Sequence, residues 1–176
     1  MSPRERILET AFRLFHRQGY NSTGINQIIK ESAVAKASLY DLFSSKETLC
    51  IEYLNKRHDY WFSKLKDFTS RGRTPKTQTM ASFDFLYDMN INEDFRGCSF
   101  LNILSEIGPD NQAILTVIQN HKQDLRDFFN TMLPDQKQEI VDHVYLLFES
   151  SIIESKLFRS QWPIERSKKI VSSLFK

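Results

Sequence analysis

GINQIIKESAVAKASLYDLF, residues 24–43, decides how the rest of the chain is read. It falls into two short helical segments around a turn at Ser32-Ala33-Val34. Ile25, Ile28 and Ile29 share one face of the first segment, and Leu39 and Leu42 share one face of the second. Mutual burial of Ile28, Val34, Leu39 and Leu42, at roughly 1.5–3 kcal/mol each, would lock the pair at one angle. The second segment, expected over Ala35–Leu42, turns Lys36, Ala37, Ser38 and Asp41 outward. Slim side chains on an exposed helix suit close approach to base edges in a DNA major groove. The alternative is an ordinary hairpin inside a helical core. A core helix, however, would not gather Lys36, Ser38 and Asp41 on one face with alanine spacers.

The sequence on both sides fits this reading. Upstream, Ile7, Leu8, Ala11, Leu14 and Phe15 form one stripe on a helix over residues 4–18, which Gly19 ends as a C-terminal cap. Tyr20 can fold back onto that stripe. Thr23 or Gly24 then caps the next helix, and with Gly24 as cap Gln27 stands at the capping-box position. Downstream, Phe43 closes the underside of the pair, and Ser45 caps a long helix whose stripe is Leu49, Tyr53, Leu54, Tyr60, Trp61, Leu65 and Phe68. Ser70-Arg71-Gly72-Arg73-Thr74-Pro75 is the clearest break. Five more helices are expected at roughly 75–91, 97–107, 110–132, 135–159 and 164–175, with Pro109, Pro134 and Pro163 near their starts. No strand alternation stands out. The predicted fold is all-α: an N-terminal three-helix unit carrying the helix-turn-helix, residues 1–49, and a helical C-terminal domain, residues 50–176.

Composition narrows the function. The 176 residues carry 24 Lys/Arg and 22 Asp/Glu, a net charge of +2. Residues 1–49 hold seven basic and five acidic side chains, so the whole excess lies with the helix pair, a weak electrostatic footprint in the right place. Cys50 and Cys98 have no CxxC spacing, and His16, His58, His121 and His143 are scattered over different helices, so no metal site is expected. No phosphate loop, nucleophile elbow or matched carboxylate pair appears, so neither an enzyme nor a cofactor is predicted. Without a secretion signal or a membrane-length apolar run, a reducing cytoplasm is the expected compartment.

Residues 4–49 resemble the N-terminal domain of TetR-type (TetR/AcrR) bacterial transcriptional repressors. The resemblance rests on Phe15 to Tyr20 as Phe-x-x-x-Gly-Tyr, on Val34, Leu39, Tyr40 and Phe43 at family spacing, and on Ser45-Lys46-Glu47 followed by Leu49. It implies that Ala35, Lys36, Ala37, Ser38, Tyr40 and Asp41 face an operator, that Thr23, Gly24 and Gln27 approach the DNA backbone, and that Lys46 does so from the next helix. Asp41 has two readings, acceptance from a cytosine amino group or a local cap, of which the cap is favoured. Two positions depart from the family: Ile29 replaces a small alanine, and Ala33 replaces a glycine. A left-handed alanine costs roughly 1–2 kcal/mol.

Beyond residue 50 the likeness is loose, apart from Gly97-Cys98, Asn102 and Glu106, which are similar to a Gly-Cys-x-x-x-Asn-x-x-x-Glu helix of one TetR subgroup. Cys98, Asn102 and Glu106 at i, i+4 and i+8 would share a face. That face could line a pocket for a small apolar or aromatic effector, with Trp61, Phe83 and Phe100 as walls. Alternatively, Asn102 and Glu106 satisfy neighbouring helix ends or Arg side chains. Val144, Leu147, Phe148, Ser151 and Ile152, with Val171, Leu174 and Phe175, form stripes so broad that two-sided burial is expected. Either a second copy covers them, as the resemblance implies, or a thick intrachain core does. The resulting expectation is a ligand-released repressor, homodimeric on a pseudo-palindromic DNA operator. The competing one is a helical carrier of small ligands that has lost DNA binding.

Overall fold

Local signals set where the helices start and stop. Ser2 and Glu5 form a reciprocal capping box at the head of α1 (Pro3–Gln18), where Pro3 occupies the first turn. Gly24 begins α2 (Ile25–Ser32), Ala35 begins α3 (Lys36–Leu42), and Ser45 Oγ accepts the Thr48 N–H at the start of α4 (Lys46–Thr69). A second capping box, Thr74 with Thr77, opens α5 (Pro75–Asn92) directly after the Ser70–Thr74 break. Then follow α6 (Ser99–Leu104), α7 (Gln112–Met132), α8 (Gln138–Phe158) and α9 (Trp162–Leu174). This computed structural model describes residues 1–175. Among them there is no strand, so the all-α expectation holds.

The described chain divides into two compact units. One comprises residues 1–59 and 99–120, the other residues 60–98 and those from 121 onward. In the first, α1 packs on α2 and α3 around Ile7, Leu14, Phe15, Ile28, Leu39 and Phe43, each at most 2% exposed. Phe100, Ile103, Ile114 and Ile118 are buried in the same unit. In the second, α5, α8 and α9 pack together around a core that includes Trp61, Phe62, Phe83, Phe85, Phe129 and Phe148.

Three details differ from the sequence expectation. Tyr60 is exposed on α4, with the Lys64 ammonium over its ring, while Phe62 takes the buried place. Leu42 is 41% exposed, because a seven-residue helix turns only one leucine, Leu39, fully inward. The helix expected over 97–107 is only six residues long. Cys98 therefore precedes it and Glu106 follows it, and the shared polar face of Cys98, Asn102 and Glu106 does not form on one helix.

Candidate nucleic-acid interface

The turn between α2 and α3 is closed by Ala33 in the left-handed conformation, φ 51° and ψ 48°. The Val34 N–H reaches back to the Ile29 carbonyl and the Ala33 N–H to that of Lys30, each at 3.4 Å, a helix ending normally built with glycine. Leu39 and Ile28 are fully buried, which fixes α3 against α1 and α2. The opposite side of α3 is open. Ala35, Lys36, Ala37, Tyr40 and Asp41 are exposed, and Ser38 is half-buried. Asp41 forms no hydrogen bond or ion pair with any described residue, so the local cap favoured from sequence is absent. Exposed Leu42 adds an apolar group at the end of this surface, which the spacing of the leucines did not signal.

The flanking residues are placed less uniformly. Gly24 is exposed with open space around its Cα. Thr23 is fully buried, its hydroxyl donating to the Gly19 carbonyl at 2.6 Å and its N–H to the Tyr20 carbonyl. It braces the turn rather than facing outward as expected, because its hydroxyl satisfies a carbonyl that the positive-φ Gly19 turns inward. Gln27 does not complete a capping box either. Its amide bonds to Gln18 and donates to Glu31 at 2.8 Å, while Arg13 holds the other oxygen of Glu31 at 2.7 Å. Arg13 and Gln27 together hold the Glu31 carboxyl below its ordinary range.

Lys46 lies in the first turn of α4 with its ammonium 4.2 Å from the centre of the Tyr20 ring. Partial burial lowers its pKa, opposed by Cys50 and Glu106. Burial also raises Tyr20, and pushes the Cys50 thiol up to about 12. Cys50 is therefore a core residue rather than a reactive one.

The expected effector residues separate. Trp61, Phe83 and Cys98 belong to the second unit, Phe100, Asn102 and Glu106 to the first. Trp61 meets Phe62, Phe85, His121 and Phe148 edge to face at 5.0–6.1 Å, and Phe83 packs on Phe148. Cys98 is half-buried with the Lys122 ammonium 3.5 Å from its sulfur; Lys122 also pairs with Glu149 at 2.6 Å. Glu106 follows the alternative of satisfying another element's backbone, since its carboxylate accepts the Asn21 N–H.

The expected pairing residues are also redistributed. Val144, Phe148, Ser151, Ile152 and Val171 are buried inside their own unit, where α5, α8 and α9 pack on one another. Leu147, Leu174 and Phe175 are partly buried. The open apolar side of α8 and α9 is instead Leu146, Ile153, Leu157, Phe158, Trp162 and Ile170, each 42–68% exposed. A groove of about 560 Å³ runs along it between His143, Leu146, Leu147, Ser150, Ile170 and Leu174. Periodicity alone could not choose between the sides of α8, which carries apolar residues on more than one of them.

Residues 7–53, which hold α1 to α3 and the first turns of α4, match the family "Bacterial regulatory proteins, tetR family". A TetR-family transcriptional regulator from Streptomyces coelicolor has the same fold along nearly the whole chain, with TM-score 0.85, 26% identity, and 97% of this chain and 93% of that one covered. Over residues 7–53 the chain is a TetR-family N-terminal domain. Among curated TetR-like relatives, the LmrA transcriptional regulator of Bacillus subtilis is 52% identical over 65 residues, 36% of this chain and 35% of that one. The IcaR negative transcriptional regulator of the biofilm operon icaADBC in Staphylococcus epidermidis is 26% identical over 161 residues, 90% of this chain and 81% of that one. The chain spans only 26–35% of the length of the first curated relatives it matches. Among the described residues, no helix is long and apolar enough to cross a membrane.

Proposed function

We propose that this chain is a DNA-binding transcriptional regulator: a cytoplasmic repressor that binds a pseudo-palindromic operator as a homodimer and is released by a small apolar or aromatic effector. One observation carries the DNA-binding part. The helix α3 is anchored by a fully buried Leu39 and offers solvent a surface of Ala35, Lys36, Ala37, Tyr40 and Asp41. Alanines would let the helix approach base edges, and Tyr40, Lys36 and Lys46 would supply the phosphate contacts that fix its register. The name of the IcaR relative, a negative regulator, supports repression.

The open apolar side of α8 and α9 supports pairing with a second copy. Its six large exposed side chains would be covered by the same side of an identical chain, in an isologous interface. Two-fold symmetry would then set the recognition helices about 34–36 Å apart, one turn of DNA. An effector acts on such a pair only through different affinities for its bound and released forms.

The test is fluorescence anisotropy with a duplex spanning the region upstream of the protein's own gene, beside sedimentation of the free protein. Salt-dependent binding by a dimer is expected, and Tyr40→Ala and Lys46→Ala should each weaken it by about tenfold, near the 1.4 kcal/mol of a good contact, without changing the sedimenting mass. A monomer, or binding indifferent to both substitutions, would defeat the proposal.

A further inference from the structure

One acidic side chain from far along the chain holds the turn between α1 and α2. Glu106 lies just past α6, in the same unit as the helix-turn-helix, 85 residues from its partner in sequence. Its Oε2 accepts the Asn21 backbone N–H at 2.6 Å, and its carbonyl oxygen accepts from Asn21 Nδ2 at 2.8 Å. Gly19, at φ 92°, fits against the same carboxylate: a Cβ there would stand 2.4 Å from Oε1. The Lys46 ammonium, over Tyr20, also feels the Glu106 charge. A second tether fixes the segment that carries Glu106. Asn111 donates to Glu47 in the first turn of α4 at 3.0 Å and accepts the Gly108 N–H at 3.2 Å.

The Glu106 contacts fall on Gly19 and Asn21, in the short segment that leads to Gly24, the N-cap of α2. A hydrogen bond from an amide to a carboxylate is roughly twice as strong as a neutral one. Thr23, by contrast, braces the turn only from within. We infer that Glu106 is a positioning residue for DNA binding: it fixes the α1–α2 turn, and through it the first turn of α2, without touching DNA. The inference rests on the DNA-binding function proposed above.

The test compares Glu106→Ala, Glu106→Gln and Asn21→Ala in the full chain by amide hydrogen exchange, by anisotropy on the duplex from upstream of its own gene, and by thermal melting. Glu106→Ala should speed exchange at Asn21 and weaken duplex binding, each by about tenfold, the size expected for one charge-assisted hydrogen bond. Glu106→Gln keeps an acceptor at nearly the same reach and should restore most of both. If Glu106→Ala also lowers the melting temperature, Asn21→Ala carries the test, since it removes one bond without touching the end of α6. It should weaken binding by about threefold, as for a neutral hydrogen bond. Wild-type exchange at Asn21 in Glu106→Ala, or faster exchange with unchanged affinity, overturns the inference alone. A wild-type chain that ignores the duplex overturns the DNA-binding reading and this inference together.

Discussion

In the helix-turn-helix, two aliphatic side chains, Ile28 and Leu39, do the holding that the second unit assigns to rings. Both are fully buried; Phe15 and Phe43 complete the core beneath them, and short polar links such as Thr23 to Gly19 and Arg13 to Glu31 surround it. In the second unit, Trp61, Phe83, Phe129 and Phe148 meet edge to face, with Phe148 touching the other three. Interlocked rings bury more area per residue and add about 0.5–1.5 kcal/mol per pair beyond burial. A seven-residue helix with one side left open has few positions to give to packing, and its one ring, Tyr40, is exposed rather than interlocked. It spends few residues on packing, so each of those few is fixed in position.

Phe148→Ala gives the largest expected effect, because it removes three ring contacts at once. Urea unfolding should show a loss of about 3–5 kcal/mol; a loss below about 1 kcal/mol would mean the rings do not share the load. Leu39→Ala should cost about 2–3 kcal/mol and abolish duplex binding by freeing α3. Retained affinity in that variant would break the contrast between a small, position-fixed unit and a large, ring-filled one. Ala33→Gly should raise stability by about 0.5–1 kcal/mol, since glycine relieves the left-handed strain but adds unfolded-state freedom. Thermal melting reads that gain. Arg13→Ala should cost no more than about 0.5 kcal/mol, because its pairing with Glu31 is exposed and screened by salt. A larger loss would mean that polar links, rather than buried Ile28, hold α2 on α1.

The same contrast explains what was legible beforehand. Around the turn, spacing leaves little freedom: the α1 stripe, buried Phe43 and the cap at Ser45 stand where periodicity and capping chemistry put them, and Ala33 is left-handed as the family resemblance implies. Leu42 escaped because a short helix and a longer one look alike over two leucines. Thr23 escaped because its orientation depends on a carbonyl presented by a glycine four residues earlier. In the second unit, α8 is apolar on more than one side, so the sequence could not separate Val144 and Phe148, which are buried in the core, from Leu146 and Ile153, which face water. The bond between Glu106 and Asn21 joins residues 85 apart, a distance at which no local pattern speaks.

The two thiols leave a practical opening. Cys50 is sealed in the first unit with its ionisation pushed up to about 12, whereas Cys98 is half-buried in the second. At neutral pH an alkylating dye should therefore attach at one position, so the unaltered chain can carry a single fluorophore without any cysteine being engineered away.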